Sequence, residues 1–385
     1  MPHSYFDHNA TTPLAPEVRE TLDECLDQVY GNASSIHRFG QAARKRLEAA
    51  RRQVAASIHA DAAEVVFTSG GTEADNMAVL GAARFAPVGA ARHVITTAIE
   101  HPAVLAACAQ LEREGVAVTR VKVGASGVVN PDDVRAAVRA ETVVISVMHA
   151  NNELGTIQPI IEIGRIARQA AVLFHVDGVQ ALGKIPVDVA ALGADLYSMS
   201  GHKLGAPKGV GALYVRKGSH LAPLLFGGHQ ERERRPGTEN VPACAAFGAA
   251  AELAARNLAA DAERIAALRD RFENAVLDRI SGARINGSRW GRLPNTSNLH
   301  IEGVDGEALV IALDLRGFAV STGAACSSGA IAPSHVLTAI GLGAEGARSS
   351  LRVSLGRTNT AAEVDALAAA LEAAVAHLRR VAVHA

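Results

Sequence analysis

The sequence predicts an α/β protein with a large domain built on a mostly parallel sheet and a smaller C-terminal α/β domain. Three observations carry this. Short apolar runs alternate with helical segments through the first half of the chain. Polar clusters follow those runs, as they do where parallel strands end along one edge of a sheet. A long Ala-rich helical stretch, 241–280, then leads into a second and shorter alternation. The 385 residues, 49% apolar and 20% charged, are enough to bury a large core. The expected boundaries are 16–256 for the large domain, with 1–15 and 257–385 forming the small one.

Taken in order, residues 5–16 (YFDHNATTPLAP) read as a short strand, a polar turn and the approach to a helix near 17–26. From pattern alone, Asn9-Ala-Thr-Thr-Pro13 is an ordinary helix lead-in. A Gly/Asn/Ser loop at 30–35 precedes a helix over 40–58. Strand 64–68 and helix 73–84 are joined by Ser69-Gly-Gly-Thr72. Such a turn offers backbone N–H groups and a dipole end to a phosphate, with the Thr72 hydroxyl as a further donor. The alternative is a capping box that needs no ligand. Strand 92–97 ends at Ile99-Glu-His-Pro102, where His101 is either a solvated turn residue or a group able to stack on a planar ring and move protons.

A strand within VAVTRVKV, a helix over 131–140 and the apolar strand 142–148 follow, the last running into His149-Ala-Asn-Asn-Glu153. The run 171–176 ends on Asp177, and 195–199 gives way to Ser200-Gly-His-Lys203. Beyond the long helix, whose Ile265, Leu268, Phe272 and Val276 form a core stripe, strands are expected at 283–286, 297–301, 318–321 and 350–355. Helices are expected at 306–316, 333–340 and from 360. Gly341-x-Gly343-x-x-Gly346 matches a dinucleotide fingerprint but follows a helix instead of a strand, so it is set aside.

A formal net charge of −1 with no basic block argues against nucleic acid or an anionic membrane as partner. No apolar run reaches spanning length and the first residues carry no secretory pattern, so a cytoplasmic protein is expected. Cys25, Cys108, Cys244 and Cys326 form no CxxC pair. The first three sit in helical, core-like stretches. Cys326 lies in Ser321-Thr-Gly-Ala-Ala-Cys-Ser-Ser-Gly-Ala330, a run of small residues with little to pack, where a thiol is expected to reach outward as a nucleophile.

Asp177 and Lys203, both just past strand ends, are expected to meet at one crevice. A lysine in an apolar crevice has its charged form disfavoured and becomes a nucleophile toward carbonyls. In pyridoxal phosphate (PLP) enzymes a lysine carries the cofactor as a Schiff base and an acid keeps the pyridine nitrogen protonated. The pair fits those roles, and equally a structural ion pair.

Ten stretches together resemble the cysteine desulfurases of the NifS/IscS type, in the class V aminotransferase group on the fold-type I PLP scaffold. They are Asn9–Pro13, Tyr30–Ser35, Thr68–Glu73, Glu100-His101, Asn151–Glu153, His175–Asp177 with Gln180, Ser200–Lys203, Arg235–Thr238, Ala325–Ser328 and Ser350–Arg352. The resemblance implies that Lys203 holds PLP, Asp177 pairs with the ring nitrogen, and His101 stacks on the ring and shuttles protons. It implies phosphate contacts from Gly71, Thr72, Ser200 and His202, with Thr238 entering from the other subunit of a homodimer. Asn152 and Gln180 would bond the ring oxygen, Asn152 also lying beside the substrate, and Arg352 would clamp the carboxylate of L-cysteine. Cys326 would receive sulfur as a persulfide and pass it to an iron–sulfur scaffold protein (IscU/NifU-like). No resident metal is implied. Gly71 departs from a frequent alanine or cysteine. The rival readings are a selenocysteine lyase or aminotransferase on the same fold, which needs no Cys326; metal-assisted hydrolysis through His175, Asp177 and His202; and a non-catalytic sulfur relay.

Overall fold

The computed structural model describes residues 4–86, 89–322 and 333–383. Twelve strands are present among them: β1 Ser4–Tyr5, β2 Val65–Thr68, β3 His93–Thr97, β4 Ala117–Val121, β5 Thr142–Met148, β6 Leu173–Asp177, β7 Leu196–Ser200, β8 Gly211–Val215, β9 Ala283–Ile285, β10 Thr296–Ile301, β11 Phe318–Ala319 and β12 Ser350–Ser354. Seven make the main sheet, in the order β2-β8-β7-β6-β5-β3-β4. From β7 through to β4 the neighbours run parallel, whereas β8 runs antiparallel to both β7 and β2. The mostly parallel sheet is therefore as expected, but the strand at Gly211–Val215 was not anticipated: its GALYV run directly follows the turn that carries Lys203.

Burial explains the sequence pattern. The residues of β5 are buried on both faces except for Val143, and the VVISVM run is accordingly almost without polar side chains. Edge strand β4 exposes Ala117 and Arg120 and is correspondingly mixed. The helix Gly71–Phe85 crosses the sheet face with ten of its residues buried. The helix at Ile160–Gln169, before β6, completes a further crossover that the sequence pattern alone did not mark.

The helix Val241–Arg279 serves two cores. Its first half packs with Val18, Leu47 and the main-sheet residues; its second half, through Ile265, Leu268, Phe272 and Val276, packs with Leu299, Leu351, Leu367 and Phe6. Close approach is enforced where a Cβ on Gly248 would lie 2.7 Å from the Ala50 Cα. The second core covers the sheet β12-β10-β9 and the pair β1-β11. Gly341 lies between two short helices, His335–Ala339 and Gly343–Arg348, and Gly343 opens the second, so the dinucleotide pattern has no strand before it. Among the described residues, no helix is long and apolar enough to cross a membrane.

Candidate active site

Parallel strands deliver their carboxyl ends to one edge, and a cavity of about 520 Å³ opens there. Asp177 closes β6, Ser200 closes β7, and Lys203 follows on a single 3-10 turn, Gly201–Lys203. The cavity is lined by ten of the twelve expected residues: Gly71, Thr72, His101, Asn152, Asp177, Gln180, Ser200, His202, Lys203 and Arg352. The tenth, Arg352, comes from β12 in the C-terminal sheet, 175 positions beyond Asp177.

Lys203 Nζ donates to the Asn9 carbonyl at 2.5 Å and to the Ala10 carbonyl at 2.7 Å. The turn that the pattern marks as a plain helix lead-in is thus a wall of the site. Burial, and after it the charge of Arg352, bring the Lys203 ammonium down to about 8. Asp177 is buried, its Oδ1 accepts from the Val179 N–H at 3.0 Å, and burial pushes its carboxyl upward against the pull of His101 and Lys203.

The helix Gly71–Phe85 begins at the cavity with Gly70 as cap and no side-chain cap bond. The capping-box alternative for Thr72 is therefore not realised; Glu73 instead accepts from the Ser69 N–H and pairs with Arg235. Thr72 is exposed in the cavity. His101 caps the helix Pro102–Arg113, its Nδ1 accepting from the Ala103 N–H at 3.1 Å. Desolvation lowers its imidazolium, and a neutral ring with Nδ1 so engaged carries its proton on Nε2. His202 shares a hydrogen bond with Thr11 at 3.1 Å, and burial, with Lys203 and Lys208, takes it down to about 4.

Arg352 is already partnered: Nη2 donates to Asp7 at 2.7 Å and Nη1 to the Asn152 carbonyl at 3.1 Å, while Nε is buried with no hydrogen-bond partner among the described residues. Asp7, Asn9, Asp75 and Ser321 line the cavity and were given no role from the sequence. Asn9 was legible only as part of a polar turn; Asp75 reads as one more polar residue of a helix.

One expected residue lies elsewhere. Thr238 is exposed and lines a separate cavity of about 210 Å³ with Ser69, Arg235 and Glu239. Cys326 is outside the described residues. Cys25, Cys108 and Cys244 are free and buried, as core residues should be, and burial pushes the Cys108 thiol up to about 12. The hydrolytic reading loses one of its three ligands: both ring nitrogens of His175 are spent on Ser146 and Ser198, at 2.8 and 2.9 Å. No group of three or more His, Cys, Asp or Glu able to hold a metal ion occurs among the described residues.

Comparison with known proteins agrees with this geometry. The model of the family "Aminotransferase class-V" matches residues 4–367. The "Cysteine desulfurase IscS" of Dictyoglomus turgidum is 47% identical over 98% of this chain and 95% of its own. A solved "NIFS-LIKE PROTEIN" superimposes with a TM-score of 0.92 at 36% identity, covering 98% of this chain and all of that one. The structure described as "SspA in complex with cysteine" gives a TM-score of 0.81 at 36% identity, over 91% of this chain and 98% of that one. With a lysine and a carboxylate meeting at the sheet edge, and with relatives of this similarity along its whole length, the chain belongs to the class V aminotransferase family, among its NifS/IscS-type cysteine desulfurases.

Proposed function

We propose that this protein converts L-cysteine to L-alanine, with the sulfur captured as a persulfide on Cys326 and handed to an iron–sulfur scaffold protein of the IscU/NifU kind. The observation that carries the reading is the convergence of Lys203, Asp177 and Arg352 on one cavity. The family's cofactor, PLP, fits the residues present. Asp75 Oδ1 and Arg352 Nε, both on lining residues, are buried without hydrogen-bond partners among the described residues. A Cβ on Gly71 would stand 2.7 Å from Val179 Cγ2, so glycine keeps that wall open. A softened amine faces a buried carboxylate.

When bound through Lys203, PLP supplies an electron sink for bonds at the substrate α-carbon. The chain does the rest. Asp177 offers an anion to the ring nitrogen, while Gly71, Thr72, Ser200 and His202 hold the phosphate. Asn152 and Gln180 hold the ring oxygen; the Asn152 side chain makes no protein hydrogen bond among the described residues. Arg352 takes the substrate carboxylate, sharing its fork with Asp7. His101 covers the ring and moves protons at Nε2. Thr238, exposed on the single chain, completes the phosphate site of the second subunit in a homodimer. The Cys326 thiolate attacks the substrate sulfur: an S–S bond forms and the Cβ–S bond breaks. A cysteine and the Cys326 thiol thus become alanine and a persulfide, with no outside oxidant. We assign the work to the cytoplasm, where thiols stay reduced, and divide the chain into 16–256 and 1–15 with 257–385, since along the long helix the first core reaches Leu253 and the second starts at Ile265.

The test is release of alanine and sulfide from L-cysteine with a thiol reductant. Cys326→Ala should keep the yellow colour of the PLP-loaded protein and lose turnover; Lys203→Ala should lose both. Normal turnover by Cys326→Ala would replace this reading with a lyase that needs no thiol, and a native protein that is colourless and inactive with added PLP would end the enzyme reading.

A further inference from the structure

Lys184 stands behind the cavity wall and belongs to none of the roles above. We propose that it is a positioning residue, holding the side-chain amide of Gln180 with its N–H toward the cofactor and clamping Asn9 against Lys203. The inference rests on the PLP reading of the site.

The geometry is a closed set of contacts. Lys184 Nζ donates to Gln180 Oε1 at 2.6 Å and to Asn9 Oδ1 at 2.9 Å. Gln180 Nε2 donates to the Asn9 carbonyl at 3.0 Å, the same oxygen that receives Lys203. The Asn9 backbone carbonyl can only accept, so Gln180 Nε2 must face it, and the amide oxygen is left to receive the Lys184 N–H. Its oxygen is turned to Lys184, one N–H goes to Asn9, and the second N–H is the remaining donor of a side chain that lines the cavity. A donor is what an anionic ring oxygen requires. Without Lys184 the orientation would rest on one contact, and Oε1 would be left without a donor in a buried residue.

Lys184 has no carboxylate within ion-pair distance among the described residues, which a merely structural cation would be expected to have. Its neighbours are instead two amide oxygens and, further off, Lys203 and Arg352, whose charges join burial in lowering its ammonium. Asn9 in turn donates to the Asn152 carbonyl and to Thr296, and accepts from Asn295. The lysine thus steadies a hub that joins the Lys203 turn, the Gln180 segment and β10.

Equilibrium titration of the cofactor-free protein with PLP, read together with the visible absorption maximum of the loaded protein, tests this in a double-mutant cycle. Lys184→Met should weaken PLP roughly tenfold and move the absorption maximum. In a Gln180→Ala background the same change should cost clearly less, about threefold at most, what remains being the lost clamp on Asn9. An equal loss in both backgrounds, or an unmoved maximum, means Lys184 is structural only and overturns the proposal. If Lys184→Met does not fold, Gln180→Glu decides. The carboxylate keeps its bond to Lys184 but has no donor for the cavity, so affinity should fall at least about tenfold. A Glu variant that binds PLP like the native protein would show that the amide oxygen faced the cavity, against the proposal. A native protein that binds no PLP would instead refute the reading of the site as a whole.

Discussion

The Lys203 amine of the cofactor-free protein is expected to titrate near pH 8 instead of at its ordinary 10.5, first because it is withdrawn from water and next because Arg352 is close. At pH 7.5 that leaves about a quarter of the amine neutral, against roughly one part in a thousand for a free lysine side chain. The assay is the initial rate of colour formation on adding PLP to cofactor-free protein, followed from pH 6 to 10 by stopped flow, with Lys203→Ala as the blank. The rate should rise to a plateau with a midpoint about 8. Arg352→Gln removes the second cause and frees Asp7, whose charge favours the ammonium, so the midpoint should move up. It should stop short of 10.5, because burial is the larger cause. A native midpoint near 10.5, or a downward move in Arg352→Gln, would refute the reasoning. Linkage gives a second readout: between about 8 and 10.5 the unfolded chain binds more protons at this group, so its contribution to stability rises with pH across that window.

Three further outcomes are expected. Glu100 is fully buried, with Oε1 accepting from Thr97 and the Met148 N–H and Oε2 without a partner among the described residues, and burial pushes its carboxyl from 4.5 up to about 8. The folded state therefore binds the extra proton in that window and this group's contribution falls as pH rises; thermal melts should show Glu100→Gln gaining on the native protein from pH 5 to 8, and parallel curves would exclude this. Arg51 forks onto Glu231 at 2.6 and 2.7 Å, both buried. Arg51→Met should cost about 3–5 kcal/mol in denaturant unfolding by stranding the carboxylate, and Arg51→Met with Glu231→Met should recover most of it. Arg352→Lys loses the two-pronged geometry, so KM for L-cysteine should rise at least about tenfold with a smaller effect on kcat; an unchanged KM would place the substrate carboxylate elsewhere.

Much of the architecture was legible because it is written in local periodicity and burial. The strand Thr142–Met148 is an apolar run bounded by polar residues and forms at those residues. Asp177 and Lys203 could be paired in advance because successive parallel strands bring their carboxyl ends together, whatever the side chains between them. The stripe on the long helix likewise announced a core, since an amphipathic face must be covered by something.

What covers or contacts a residue is a different matter, because a side chain's partner is chosen by packing across the fold and leaves no trace in its own neighbourhood. Nothing near Asn9 shows that its carbonyl will receive Lys203, 194 positions away, or that Asp7 will hold Arg352, 345 away. The antiparallel course of β8 is set by its fit between β7 and β2, not by its GALYV sequence, which would suit either direction. Thr238 came to lie at a separate cavity because its segment is held by Arg235 on Glu73 and by Glu231 on Arg51. Lys184, an unremarked residue in a turn, acquires its place only when the fold sets two amide oxygens above its ammonium. The sequence alone determined which residue types could do the chemistry and roughly where the strands would leave them. Tertiary packing decided which donors face which acceptors, because hydrogen-bond geometry is settled within a few tenths of an ångström by contacts between segments far apart in the chain.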